Sequence, residues 1–186
     1  MKFTIFTPTY NREGLLISLY ESLKKQTFKD FEWLIVDDGS VDNTNETVQH
    51  FIKENILNIS YYYKENGGKQ RAYNYALDNA KGELFICLDS DDEYVSNALE
   101  IILEYWKKVE KNAKIVGMGY LSTYPDGSTI GSEFPNDEMV ETQFNIYNKY
   151  KVTGDKRLMF RTEVLKNYKF PVFDGEKFTT EALVYN

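Results

Sequence analysis

The stretch FEWLIVDDGS, residues 31–40, decides the fold. Phe31 to Val36 is apolar at nearly every position, and it ends abruptly at Asp37-Asp38-Gly39-Ser40. A strand that is apolar at successive positions has both faces buried, as in a parallel sheet covered by helices on each side.

The flanking sequence repeats the pattern. Phe3 to Thr7, Ile59 to Tyr63 and Glu83 to Leu88 read as further short apolar strands, the last ending at Asp89-Ser90-Asp91-Asp92. Helix periods lie between and after them. Arg12 to Gln26 carries Leu15, Leu16, Leu19 and Leu23 on one stripe. A second helix, capped by Asp42 or Asn43, turns Val48, Phe51 and Ile52 inward. Asn66-Gly67-Gly68 opens a third, with Ala72, Ala76, Leu77 and Ala80 along one side, and a fourth buries Leu99, Ile102, Leu103, Trp106 and Val109. Strand–helix alternation of this kind predicts an α/β fold, a three-layer α/β/α domain with a mostly parallel, Rossmann-like central sheet. Residues 1–112 supply its first half.

Residues 113–186 read as the other half of the same domain and are less regular. Ile115 to Tyr124 looks like a strand, Pro125-Asp126-Gly127-Ser128 a turn, and Thr129 to Phe134 a returning hairpin partner. Glu138 to Tyr150 is a weak helix, Lys156 to Phe160 a short strand, and Thr162 to Asn167 a short helix capped by Thr162. The chain stops at Asn186 just after an apolar run with no closing element, as a C-terminally truncated chain or a minimal enzyme would.

Composition narrows the function. Hydrophobic residues make up 42% and charged residues 27%, an ordinary globular mix. The net charge of −7 gives no counterion-release gain on a polyanion, which argues against nucleic acid as a partner. The 15 tyrosines suit a protein that stacks on flat ligands. Cys87 is the sole cysteine and reads as a core residue, and His50 is the sole histidine, so a histidine-based metal site is excluded. Nothing resembles a signal peptide, and no apolar run approaches the ~20 residues that cross a bilayer. The expectation is a cytoplasmic protein without a transmembrane segment, with peripheral membrane contact left open.

Polar residues interrupt four strands at the same end: Pro8 to Arg12, Asp37 to Ser40, Lys64 to Arg71 and Asp89 to Asp92. In open α/β sheets, ligands bind outside the carboxyl ends of the strands. Asp37, Asp38, Asp89, Asp91 and Asp92 would crowd that crevice. Two carboxylates ~4 Å apart repel by roughly 4 kcal/mol at an effective dielectric near ~20, so the cluster is stable only if some groups are protonated, spread apart or bridged by a cation, and a divalent ion resolves this. Hard oxygen donors suit Mg²⁺ or Mn²⁺, which would also let an acidic site hold a diphosphate. The glycines before Lys69 and Arg71 free backbone amides at a helix start, a place for phosphate. The spacing is neither GxxxxGK[ST] nor a GxGxxG after the first strand.

Together, Thr7-Pro8-Thr9-Tyr10-Asn11-Arg12, Val36-Asp37-Asp38-Gly39-Ser40, Asn66-Gly67-Gly68 with Asn74, and Leu88-Asp89-Ser90-Asp91-Asp92 resemble the family-2 glycosyltransferases, whose nucleotide-sugar fold is of the GT-A type. The resemblance implies a glycosyltransferase moving a sugar from a nucleoside-diphosphate sugar, UDP-linked in many relatives, to an acceptor hydroxyl with inversion. It implies that Pro8, Thr9 and Tyr10 line the nucleoside pocket and that Asp38 accepts a hydrogen bond from the base. Arg12, Gly68, Lys69 and Arg71 would serve the donor. Asp89 and Asp91 form the DXD motif, with Asp89 facing the ribose or the sugar, Ser90 beside it in the donor site, and Asp91 holding Mg²⁺ or Mn²⁺. Many relatives have arginine at the position of Tyr73; here the positive charge sits at Lys69 and Arg71. An acidic residue of the acceptor-side region would be the general base, with Glu181 ahead of Glu176 and Asp174. The acceptor is a glycan, a lipid carrier or a protein. A sugar nucleotidyltransferase, and a truncated donor-binding domain without transfer activity, stand as the alternatives.

Overall fold

The computed structural model describes residues 1–177 and 179 of the chain. The elements run β1 (Phe3–Thr9), α1 (Glu13–Lys24), β2 (Phe31–Asp37), α2 (Thr44–Glu54), β3 (Ile59–Tyr63), α3 (Lys69–Asn79), β4 (Leu84–Cys87), α4 (Ala98–Val109), β5 (Gly117–Tyr120), α5 (Gln143–Asn148), β6 (Arg157–Arg161) and α6 (Thr162–Leu165). One six-stranded sheet has the order β3-β2-β1-β4-β6-β5. Strands β3, β2, β1 and β4 are parallel, and β6 runs antiparallel to both β4 and β5. The expected α/β fold with a mostly parallel sheet is therefore present.

The alternation of side chains across each strand builds two cores. Phe3, Ile5, Trp33, Ile35, Leu84 and Ile86 pack with α1, α2 and α4 on one face. Phe6, Leu34, Val36 and Phe85 pack with α3 on the other. Each fully buried side chain of this size contributes ~1.5–3 kcal/mol of transfer free energy, so both faces stabilise the sheet. The side change of α3 follows from direction. The chain steps outward from β1 to β3 and then returns past β1 to β4, and a right-handed crossover that reverses direction must use the opposite face. The reversal opens a switch point between the carboxyl ends of β1 and β4, where ligands bind in such sheets.

A buried carboxylate fastens the amino-terminal end of the central strands. Oε1 of Glu32, fully buried, accepts from the Thr4 hydroxyl at 2.6 Å and the Lys81 amide at 2.7 Å.

The second half departs from the sequence expectation. The hairpin expected between Ile115 to Tyr124 and Thr129 to Phe134 reduces to a single bridge, Thr123 to Thr129. The short strand β5 pairs with β6 instead. An isolated hairpin buries little, whereas docking on β6 extends an existing sheet. The helix expected from Glu138 contracts to α5, capped by Thr142, whose hydroxyl accepts from the Asn145 amide. Thr162 is not a cap: its hydroxyl donates to the Gly82 carbonyl, because α6 sits directly against the start of β4. Asn43 occupies the N-cap position of α2 without a side-chain bond to the helix, and Asp42 accepts from the Thr44 amide.

Candidate functional site

The four polar strand ends do meet on one rim. Asn11 and Arg12, adjacent in sequence, reach in opposite directions from the end of β1. The Asn11 amide donates to the Ser40 hydroxyl at 2.8 Å, and its side-chain oxygen accepts from the Val41 amide at 2.8 Å. An Arg12 guanidinium nitrogen lies 3.1 Å from an Asp91 carboxylate oxygen and 3.3 Å from the Ser90 hydroxyl. One dipeptide thus spans from the β2 loop to the β4 loop. Asn11 takes a left-handed conformation (φ 53°), which asparagine tolerates well.

Asp38 is the anchor on the β3 side. Its carboxylate accepts the Gly68 amide at 2.7 Å, the Gly67 amide at 3.0 Å and the Lys64 ammonium, while its main-chain carbonyl accepts from the Asn66 side chain at 2.8 Å. The glycine amides, expected to be open for phosphate, are committed to Asp38. Asp37 is fully buried and does not face the crevice: it holds the turn through the Ser40 amide at 2.7 Å and accepts from the Tyr61 hydroxyl at 2.7 Å. Burial, and then this carboxylate, push the Tyr61 phenol well above its ordinary value.

The acidic loop after β4 is neutralised by protein cations. Lys69 lies 2.8 Å from Asp89, and Arg157 sits 2.6 Å from Asp92 and 3.7 Å from Asp89. With Arg12 on Asp91, every carboxylate of this loop has a basic neighbour. The expected crowding of five carboxylates that would require a metal is therefore corrected. Arg12 at the start of α1, Lys69 of α3 and Arg157 of β6 separate the charges, Asp37 holds a turn, and Asp38 is engaged by the loop before α3. Burial raises the Asp92 carboxyl above the ordinary range, with Asp89 and Asp91 adding to the rise and Arg157 opposing it. Burial works against the Arg157 charge, but Asp92 and Asp89 outweigh it and raise its pKa.

Among the other expected donor residues, Thr9 is buried, and its hydroxyl has no protein partner among the described residues. Pro8 is half-buried and Tyr10 is exposed at the mouth. Ser90 is buried under Arg12. Arg71 donates to the Phe173 carbonyl at 2.9 Å. It lines a cleft of about 380 Å³ together with Lys64, Asn66, Gly67, Glu176 and Lys177. Tyr73 is no phosphate contact: it packs edge-on against Phe6 and Phe170 in the core. Asn74 clamps the backbone of Phe170 through both ends of its amide. Glu176 and Asp174 are exposed, and Glu181 lies outside the described residues.

Arg157 was invisible to sequence reasoning, because one arginine at the start of a short strand carries no motif. The signal that pointed nearest to it was the change from basic to apolar character across Lys156 to Phe160. His50 is solvent-exposed beside Glu54, and Cys87, expected in the core, is instead half-buried at the end of β4 and packs against the second core from its border.

Among the described residues no three His, Cys, Asp or Glu side chains form a ready-made metal cage. Mg²⁺ is often held by only one or two carboxylates plus substrate phosphates. The partly exposed carboxylates of Asp89 and Asp91, one residue apart, fit a site of that kind. No helix among the described residues is long and apolar enough to cross a membrane.

Comparison with known proteins identifies the family. The chain is 32% identical over 180 residues to a GalNAc(5)-diNAcBac-PP-undecaprenol beta-1,3-glucosyltransferase of Campylobacter jejuni, a match covering 91% of this chain and 54% of that protein. A crystal structure of S. aureus TarS 1-349 superimposes with a TM-score of 0.73 at 29% identity, covering 92% of this chain and 50% of the other; the same protein in complex with UDP-GlcNAc gives 0.68. The mannosyltransferase PcManGT of Pyrobaculum calidifontis, in complex with GDP-Man and Mn²⁺, shares the fold at a TM-score of 0.65 and 20% identity, covering 91% of this chain and 47% of that one. The chain spans about half the length of these proteins. The model of the family described as glycosyl transferase family 2 matches residues 4–169, and the protein belongs to that family.

Proposed function

We propose that this chain binds a UDP-linked sugar across the rim between β1 and β4, and transfers the sugar with inversion to an acceptor hydroxyl. The observation that carries the reading is the bridge made by Asn11 and Arg12 from Ser40 to Asp91, which brings the β2 and β4 loops to one crevice. The TarS complex with UDP-GlcNAc, at 29% identity, supports a uridine donor.

Pro8, Thr9 and Tyr10 form one wall of the nucleoside pocket, and the Thr9 hydroxyl, buried without a protein partner, is a ready ligand contact. Asp38 accepts from three groups of the chain. A carboxylate has about four lone-pair sites, so one stays open to a base N–H. Arg12, Lys69 and Arg71 orient the diphosphate, with Gly68 shaping the loop beneath it. Asp89 and Ser90 face the sugar. Asp91 holds Mg²⁺ or Mn²⁺. When bound, the ion neutralises charge on the departing nucleoside diphosphate.

Glu181 takes the proton from the acceptor hydroxyl in this reading, and Glu176 is its nearest rival. Holding donor and acceptor together on the rim supplies much of the remaining rate. The acceptor is a glycan, a lipid-carrier-linked glycan or a protein. The undecaprenol in the Campylobacter relative's name favours the lipid-linked form. A cytoplasmic place belongs to the same proposal. The relatives are glycosyltransferases, which disfavours the sugar-nucleotidyltransferase alternative.

Calorimetric titration of UDP with and without Mn²⁺ tests the reading. The wild-type chain is expected to bind UDP more tightly with the ion, and Asp91→Asn to lose that difference while keeping its thermal midpoint. Unchanged ion-dependent affinity in Asp91→Asn would remove Asp91 from the metal site.

A further inference from the structure

The three cations around the acidic loop differ in depth. The side chains of Arg12 and Lys69 are 45% and 41% exposed, whereas that of Arg157 is 25% exposed. Arg12 and Lys69 rise from the β1 and α3 ends of the crevice, where a diphosphate would draw them away from Asp91 and Asp89. Arg157 approaches from the opposite side, at the first residue of β6, the antiparallel neighbour of β4. It spans Asp89 and Asp92, the first and last residues of the loop, while Asp91 is left to the exposed Arg12. Behind Arg157 the hydroxyls of Tyr94 and Tyr120 pair with each other, and burial holds both phenols neutral.

We propose that Arg157 is a positioning residue of the donor site: it clamps the two ends of the loop Asp89–Asp92, so that Asp91 stays turned to the crevice. The inference rests on the donor-site reading above and deepens it by making β6, from the second half of the chain, part of the machinery that presents Asp91. One guanidinium reaches both carboxylates, 2.6 Å from Asp92 and 3.7 Å from Asp89, so a single side chain draws the two ends of the loop together by charge, which a compact ammonium is less able to span. Release of the clamp lets the mutually repelling carboxylates of Asp89, Asp91 and Asp92 spread.

Two measurements on Arg157→Gln and Arg157→Lys test this. Amide hydrogen exchange over residues 88–94 should rise about tenfold in Arg157→Gln, with exchange in β1 and β2 unchanged, and Arg157→Lys should recover only part of the protection. The Mn²⁺ concentration giving half-maximal UDP binding should rise about tenfold in Arg157→Gln, a larger change than any in metal-free UDP affinity. Unaltered loop exchange in a folded Arg157→Gln variant overturns the assignment. So does a loosened loop with unchanged Mn²⁺ dependence, or loss of protection spread evenly over the sheet. A wild-type chain that binds no UDP with Mn²⁺ fails the donor reading itself, and the Arg157 assignment falls with it. A wild type that binds, beside an Arg157→Gln variant that binds equally, fails the clamp alone.

Discussion

Asp38 and Gly68 are joined across the rim: a carboxylate oxygen of Asp38 accepts the Gly68 amide at 2.7 Å, and this bond ties the end of β2 to the first residue before α3. The Gly67 amide and Lys64 complete the set on the same carboxylate. The loop is thereby organised around a buried negative charge supplied by the protein itself.

Asp38→Asn keeps the shape but removes the charge, and it turns an amide N–H₂ toward a donor. Hydrogen bonds to charged groups contribute about 1.5–3 kcal/mol each, and a mispaired buried donor costs about 1–3 kcal/mol. We expect unfolding stability to fall by about 2 kcal/mol and UDP affinity by at least about tenfold. Urea denaturation and calorimetry measure the two. A variant as stable as wild type would show that the loop is held by other contacts.

Gly68 and Gly14 should respond to alanine with opposite sign. Gly68 has φ +95°, and a Cβ there would meet the Lys177 carbonyl oxygen at 2.0 Å. Gly68→Ala therefore forces both a Gly-only backbone region and displacement of the Phe170–Lys177 segment, at a cost of about 1–3 kcal/mol or more. Gly14 lies in α1 with nothing within 4 Å of its Cβ position, so Gly14→Ala should stabilise by up to about 1 kcal/mol. Urea midpoints for the pair decide it, and equal shifts in both would defeat the argument.

Alkaline pH should unfold this protein through its tyrosines. The phenols of Tyr20, Tyr61, Tyr94 and Tyr120 are all raised above 10.0, burial being the first cause in each. Glu54 adds to the rise for Tyr20, and Asp37 for Tyr61. Above that pH the unfolded chain releases protons that the folded chain retains. The contribution is complete below pH 10.0 and is lost as pH rises past it, by at most about 1.4 kcal/mol per pH unit for each such group. Tyr120→Phe should start less stable near neutrality and lose less between ~pH 9 and ~pH 11. Parallel stability profiles for the two proteins would sink the prediction.

The legible part of the fold was the part in which each element contributes on its own. The apolar run before Asp37 and the leucines of α1 each report a local period, so β1 to α4 were read close to their observed bounds, although Leu15, expected on the stripe, is exposed and Tyr20 is buried in the core beside Leu16, Leu19 and Leu23. The second half was harder. Strand β5 is short, with two glycines among its four residues, and it exists because β6 offers an edge to pair with. Nothing local distinguishes it from the segment Thr129 to Phe134, which forms only one bridge. The candidate site divides in the same way. Acidic strand ends are visible as runs of aspartate, and Lys64 and Lys69 stand in a legible polar stretch without their partners being named by it, whereas Arg157 looks like any surface cation until the chain folds.

By itself, the sequence determined that four strands lie parallel and that their polar ends share one rim. Period and strand polarity are properties of successive residues, and the handedness of crossovers does the rest. Only the tertiary structure decided what each carboxylate does. Asp37 holds a turn, Asp38 gathers the loop before α3, Asp89 and Asp92 are paired from β6, and Asp91, which Arg157 does not reach, is paired with the exposed Arg12. That division depends on which cation arrives within ion-pairing distance from a distant strand, and Coulomb attraction over a few ångströms is set by packing rather than by sequence neighbours.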